Sequence, residues 1–105
     1  MKLHSFAVVA WCNGSVGYGL TMSAATRDAY FIREWNSVGI YLPGRSEPTK
    51  VNVDKDSLWN GCRHLISKEI RAWLFENGMA PWPKGHPPGF KLVQRAPSEF
   101  ELTFD

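Results

Sequence analysis

Cysteine and histidine are the residues of this chain that could bind a metal or act as a nucleophile with its base. Cys62 and His64 form the one close pair, and they are one residue nearer than zinc ligands usually are. Cys62 also lies between Leu58 and Leu65, an apolar setting that favours an inert buried thiol over a catalytic one. These residues therefore predict neither a metal site nor a cofactor.

Carboxylates do not form a catalytic group in the sequence either. Asp54 and Asp56 stand just before a short helical turn expected at 58–62, where they suit helix capping at least as well as metal binding. The Glu-Pro-Thr-Lys segment at 47–50 is one residue too long for the acidic-x-Lys end of metal-dependent nucleases, and the upstream aspartate is missing. The sequence therefore does not decide whether the protein is an enzyme, and it favours a protein without enzymatic activity.

Basic residues stand near aromatic ones, a combination that favours a nucleic acid as the partner. Cations contact phosphates, and an aromatic ring stacks on a base or sugar. Arg63 and His64 precede the main predicted helix, where free backbone N–H groups also favour anions. The candidate nucleic-acid-binding residues are Arg45, Lys50, Arg63, His64, Lys68, Trp82, Lys84 and His86.

The overall charge permits duplex DNA as a partner without requiring it. The chain has 12 Lys and Arg against 10 Asp and Glu, a net charge of +2, whereas dedicated DNA-binding proteins are often more basic. Three functions therefore stay open. The first is a non-enzymatic DNA-binding module. The second is a protein-interaction module, such as a phage or mobile-element inhibitor or adaptor, with Trp82 as a hot spot. The third is a small RNase-type toxin that uses His64 or His86.

The length and composition of the chain predict one domain, 1–105, with its own core. The sequence has 105 residues, of which 44% are hydrophobic. Its N-terminal stretch is interpreted as a strand rather than a signal peptide, and no segment approaches the roughly 20 apolar residues of a membrane span. Two cysteines, Cys12 and Cys62, are too few for a disulfide-stabilised secreted domain. We expect two buried thiols in a cytoplasmic protein without a membrane partner.

Short strands joined by turns make up most of the predicted structure. Apolar runs and period-two alternation predict strands at 3–11, 18–22, 37–42, 49–53, 90–94 and 100–104. Ser23 is expected to cap a short helix at 24–30, because its hydroxyl can accept a free backbone N–H.

The main helix is predicted at about 66–77. Ser67 is its expected N-cap, and Asn77 with Gly78 ends it. Its predicted apolar face consists of Ile66, Ile70, Trp73 and Leu74. The proline-rich stretch 81–89 follows as an irregular loop. The resulting order, β-β-(α)-β-β-α-β-β, predicts an α+β domain: a small, mostly antiparallel β-barrel or pseudobarrel with one main helix and a short second one.

The C-terminal part of the chain resembles a known DNA-recognition fold. Residues 64–79 resemble its strand, cap, helix with an aromatic anchor and following loop, while 90–92 and 100–102 resemble its last two strands. Residues 38–42 and 50–53 match a preceding hairpin. The family is the pseudobarrel domain shared by plant B-three transcription factors and the effector domains of some bacterial restriction enzymes.

The resemblance implies a mode of DNA binding as well as a fold. The hairpin around Arg45 and Lys50 would enter the major groove. Arg63, His64 and Lys68 would position phosphates.

Overall fold

The computed structural model describes residues 4–13, 17–54, 58–59 and 64–104. Over these ranges the chain is a small α+β domain in which seven strands form one nearly closed, barrel-like sheet with two helices. The predicted fold class is therefore confirmed. The strands are β1 (Ser5–Asn13), β2 (Gly17–Thr21), β3 (Ser37–Tyr41), β4 (Thr49–Asn52), β5 (His64–Ile66), β6 (Gly89–Ala96) and β7 (Glu99–Phe104). The helices are α1 (Ala24–Tyr30) and α2 (Lys68–Glu76).

The sheet has the strand order β4-β3-β7-β6-β1-β2-β5. Neighbouring strands pair antiparallel except for β3 and β7, which run parallel with Gly39 opposite Glu99. The two end strands, β4 and β5, approach each other, so the sheet curls almost into a closed barrel. Curling brings one face of every strand to a shared interior.

The interior of the barrel follows from the period-two pattern of the strands. In β1, Phe6, Val8 and Ala10 are buried, whereas the intervening Val9 is 38% exposed. The same alternation buries Phe100 and Leu102 of β7. One contiguous apolar core results, and it fixes the register of the strands because a one-residue slip would turn these side chains outward.

Helix α2 is held by caps at both ends. The Ser67 hydroxyl accepts hydrogen bonds from the backbone N–H groups of Glu69 and Ile70, as its predicted N-cap role requires. At the other end Gly78 has φ +70°, and the N–H of Met79 donates to the carbonyl of Leu74 at 2.9 Å. This arrangement is a Schellman motif, so the predicted stop is confirmed.

The two helices lie at opposite ends of the β1–β2 hairpin. Tyr30 of α1 packs on Phe6 near the start of β1, with ring centroids 4.5 Å apart. Phe75 of α2 packs on Tyr18 near the start of β2, which pairs with the end of β1. The predicted Ser23 cap of α1 is confirmed by the N–H of Thr26, which donates to the Ser23 hydroxyl oxygen.

Two expectations from the sequence need correction. Helix α2 begins at Lys68, because Ile66 belongs to the edge strand β5 and is 39% exposed instead of lying on the apolar helix face. Cys12 is an exposed free thiol rather than a buried one, since it lies near the rim of the barrel at the end of β1. Leu58 and Trp59 are helical as expected. The rest of the predicted turn, with Cys62 and the capping Asp56, lies outside the described residues.

Candidate nucleic-acid interface

The outer flank of α2 carries a row of cationic and aromatic side chains. Lys68, Arg71 and Phe75 are three and four residues apart, so they line one side of the helix. The Arg71 guanidinium carbon lies 4.9 Å from the centroid of the Phe75 ring. It also lies 5.6 Å from the centroid of the Tyr18 ring, which β2 brings alongside. One cation is therefore held over two rings.

A third ring joins this flank from the proline-rich loop. Trp82 meets Tyr18 edge-to-face with centroids 5.8 Å apart, and Phe75 meets Tyr18 in the same manner at 5.3 Å. Phe75 is 39% exposed, and the other two rings are partly buried. We call Tyr18, Phe75 and Trp82 the ring cluster. Tyr18 belongs to β2, Phe75 to α2 and Trp82 to the proline-rich loop, and these three elements pack together at one end of the barrel.

Three of the five described arginines pair with a described carboxylate, whereas Arg71, like Arg33 beside Trp59, does not. Arg27 pairs with Asp28, Arg45 pairs with Glu76, and Arg95 pairs with Glu101. For Arg71, no carboxylate within the described ranges lies at ion-pair distance, and its printed contacts are with aromatic rings. The positive charge of Arg71 is therefore open to an anion from outside the protein.

The first turn of α2 also holds a carboxylate that stays ionised. The Ser67 hydroxyl donates a hydrogen bond of 2.9 Å to Glu69, and this contact lowers the pKa of Glu69 below its ordinary value. A hydrogen bond from the backbone N–H of Glu69 lowers this pKa further, slight burial opposes the shift, and the nearby charges of Lys68 and Arg45 add smaller lowering effects. Glu69 therefore offsets part of the positive charge at the start of the helix, which leaves Arg71 as the centre of the positive flank.

The proline-rich loop places two more predicted residues beyond Trp82. The backbone N–H of His86 donates to the carbonyl of Pro83 at 2.9 Å, and Gly85 between them has φ +81°. This is the geometry of a type II turn, which needs glycine at its third position. The turn leaves Lys84 and His86 exposed to solvent.

The predicted hairpin residues lie elsewhere. Arg45 follows the Pro43–Gly44 turn and donates to Glu76 at 2.9 Å on the opposite flank of α2 from Arg71. Lys50 is exposed on the end strand β4, opposite Gly39. Of the predicted residues, Trp82 therefore belongs to the ring cluster and Lys68 lies on the same flank of α2 as Arg71 and Phe75, whereas Arg45 and Lys50 lie elsewhere.

His64 forms a separate aromatic contact on the outer wall of the barrel. Its ring stacks on Trp11 with centroids 4.0 Å apart and an angle of 19° between the planes. His64 lies in β5 and His86 in the proline-rich loop, so the two histidines of the RNase hypothesis belong to different elements. Arg63 lies outside the described residues, and its predicted role stays a prediction.

A cleft of about 450 Å³ with a mixed polar and apolar lining opens on the outside of β3 and β7. Its lining residues are Tyr41, Leu42, Pro43, Gly44, Arg45, Arg95, Glu99 and Glu101. Both of its arginines are already paired with carboxylates. The charges of this cleft neutralise one another, so it is a weaker candidate for an anionic partner than the Arg71 flank.

Sequence reasoning missed Tyr18, Arg71 and Phe75 as members of one site. The spacing of Lys68, Arg71 and Phe75 was a usable signal, since it places them on one helix flank. No local signal could have added Tyr18, because only the pairing of β1 with β2 and the packing of α2 bring it there.

Two further findings bound the chemistry of the described part of the chain. It contains no cluster of three or more His, Cys, Asp or Glu side chains arranged to hold a metal ion. None of its helices combines the length and the apolar character needed to cross a lipid bilayer.

No family model, curated protein or solved structure matches this chain. Its function must therefore be inferred from its own geometry.

Proposed function

We propose that this protein is a non-enzymatic DNA-binding module, and that its contact surface is the outer flank of α2 with the adjoining proline-rich loop. One observation carries the proposal: Arg71 lies over the rings of Tyr18 and Phe75, and no carboxylate of the described chain pairs with it. Lys68 on the same flank adds a second cation.

The ring contacts prepare Arg71 to bind a phosphate. A guanidinium is planar and always charged, and it can donate two parallel hydrogen bonds to a phosphate. A flexible arginine loses side-chain entropy when it binds, whereas one already held over two rings loses less. The rings leave the outward N–H donors of the guanidinium free because a cation–π contact uses its flat face.

Exposed cations in the proline-rich loop extend this surface. Lys84 and His86 come two and four residues after Trp82 in the chain. A row of cations beside rings suits a phosphate backbone, which carries a charge at every nucleotide. The hairpin around Arg45, which the family resemblance would place in the major groove, lies across α2 from this surface. We therefore place the main phosphate contacts on the outer flank of α2, which carries Arg71.

Salt-dependent DNA binding tests the proposal. Fluorescence anisotropy of a labelled random-sequence duplex would be measured for the wild type and Arg71→Gln over a series of salt concentrations. We expect the wild type to bind at low salt. A plot of log K against log salt should have a negative slope, and Arg71→Gln should make this slope shallower by about 0.9 because it removes one phosphate contact. The matched control is Arg33→Gln, which removes an exposed arginine held over Trp59, 5.5 Å from its ring centroid, near α1.

The two variants separate a defined site from general charge. Arg33→Gln should leave the salt slope within error of the wild type. Equal losses in both variants would show that only net charge matters and would overturn the assigned surface. No binding of DNA at low salt would overturn the function itself. In that case the same rings and arginine would point to the protein-interaction alternative, because Trp, Tyr and Arg are common hot spots of protein interfaces.

A further inference from the structure

The ring cluster presents aromatic surface where a reader of duplex DNA would present hydrogen-bonding side chains. Base edges in the major groove are recognised chiefly by Arg, Asn and Gln. The flank of α2 instead carries Phe75, which is 39% exposed, next to an arginine that the rings hold in place. Phenylalanine makes no hydrogen bond, so its exposure here serves an apolar or stacking contact.

An unpaired base offers the matching surface. Aromatic side chains stack on the flat face of any base, but in a duplex both faces are covered by the neighbouring base pairs. A single strand also brings a phosphate next to each base. Lys68 and Arg71 lie on the same flank as Phe75 and supply the complementary charge.

We propose that the ring cluster takes an unpaired base and that the protein prefers single-stranded DNA to duplex DNA. This inference rests on the proposed function and adds the form of DNA that the same surface selects. The base stacks at Phe75 and Trp82, whose rings both meet the Tyr18 ring edge-to-face. Arg71 binds the adjoining phosphate, and Lys68 binds the next one along the strand.

A comparison of DNA forms tests the preference. The probes are a labelled oligothymidine of about 12 nucleotides, which is within the usual site size of such proteins, and a blunt duplex of the same length. Both are titrated at the same salt concentration. We expect the wild type to bind the single strand about 10-fold more tightly, the gain typical of one stacked base.

A pair of phenylalanine variants locates the contact. Phe75→Leu should lower the affinity for the single strand about 10-fold and the affinity for the duplex by a clearly smaller factor. Leucine keeps the apolar volume but loses the stacking face, which matters only for the single strand, whereas the weaker hold on Arg71 affects both probes and is limited because Tyr18 still contacts Arg71. Phe104→Leu is the matched control. Phe104 is 60% exposed and packs on Trp73 and Phe90, with no described arginine over its ring. Circular dichroism melts of both variants establish that they fold.

The outcomes for this inference and for the proposed function differ. Equal affinity for the two probes, or an equal effect of Phe75→Leu on both, would overturn the preference for unpaired bases while DNA binding itself stood. A loss with Phe104→Leu as large as with Phe75→Leu would also overturn it. Failure of the wild type to bind either probe at low salt would instead overturn the proposed function.

Discussion

Trp73 links α2 to the turn after β3, and its replacement by phenylalanine should destabilise the whole barrel end. The indole is 1% exposed, and its N–H donates to the carbonyl of Pro43 at 3.0 Å. Trp73→Phe removes this hydrogen bond, which contributes about 0.5–1.5 kcal/mol. It also leaves a cavity the size of the lost ring, which costs about 1–2 kcal/mol more, as only part of a large side chain is deleted.

The expected total is a loss of about 1.5–3.5 kcal/mol in the free energy of unfolding. For a domain of this size, this loss corresponds to a fall in Tm of roughly 6–28 °C. Urea denaturation followed by far-UV circular dichroism measures the change without relying on tryptophan emission. The m-value should stay constant, because the same surface is exposed on unfolding.

Trp82→Phe provides the control for this prediction. Trp82 is only partly buried and meets Tyr18 at its edge, so its replacement should cost less than about 1 kcal/mol. If Trp73→Phe lost no more stability than Trp82→Phe, the indole would not be the link between α2 and the turn at Pro43, and the reasoning would be refuted.

Three further predictions concern the strands, the helix start and the free thiol. Gly19→Ala should lower Tm sharply in thermal melts, because the new Cβ would lie 2.2 Å from the carbonyl oxygen of Leu65 and would separate β2 from β5; an unchanged Tm would contradict this close approach. The lowered pKa of Glu69 means that its carboxylate stabilises the fold above the ordinary carboxyl pKa, a contribution lost as pH falls through the lowered value. The free energy of unfolding should therefore differ less between neutral and acidic pH in Glu69→Gln than in the wild type. An equal difference in the two proteins would refute this prediction. Cys12→Ser should remove a fast-reacting thiol from the native protein in a thiol-reagent assay, because Cys12 is exposed; unchanged fast labelling would contradict that exposure.

Local features of this fold could be predicted from the sequence. The caps at Ser23 and Ser67 depend on a hydroxyl next to the first turn of a helix, and the stop at Asn77 and Gly78 depends on a left-handed residue. Both kinds of signal lie within a few residues of their effect. The alternation of apolar residues likewise predicted most of the strands.

Features that depend on distant parts of the chain could not be predicted in the same way. The strand β5 is only three residues long and forms through its pairing with β2. The helical spacing of the apolar residues therefore led to the wrong prediction that Ile66 belongs to α2. Arg45 looked like a free cation in the sequence, but its partner Glu76 is 31 residues away in the chain. Tyr18 lies in the candidate site only because β2 pairs with β1 and α2 packs against β2, and neither contact is visible in the local sequence.

The central claim, that DNA binds on the outer flank of α2, is tested most directly by mapping the contact on the protein. Two-dimensional amide NMR during titration with the oligothymidine reports every backbone N–H and each indole N–H. We expect the shifts to concentrate at residues 68–75 and 82–86, with the indole of Trp82 among them. Shifts concentrated around Arg33 and Trp59, or around the cleft at Arg95, would contradict the claim.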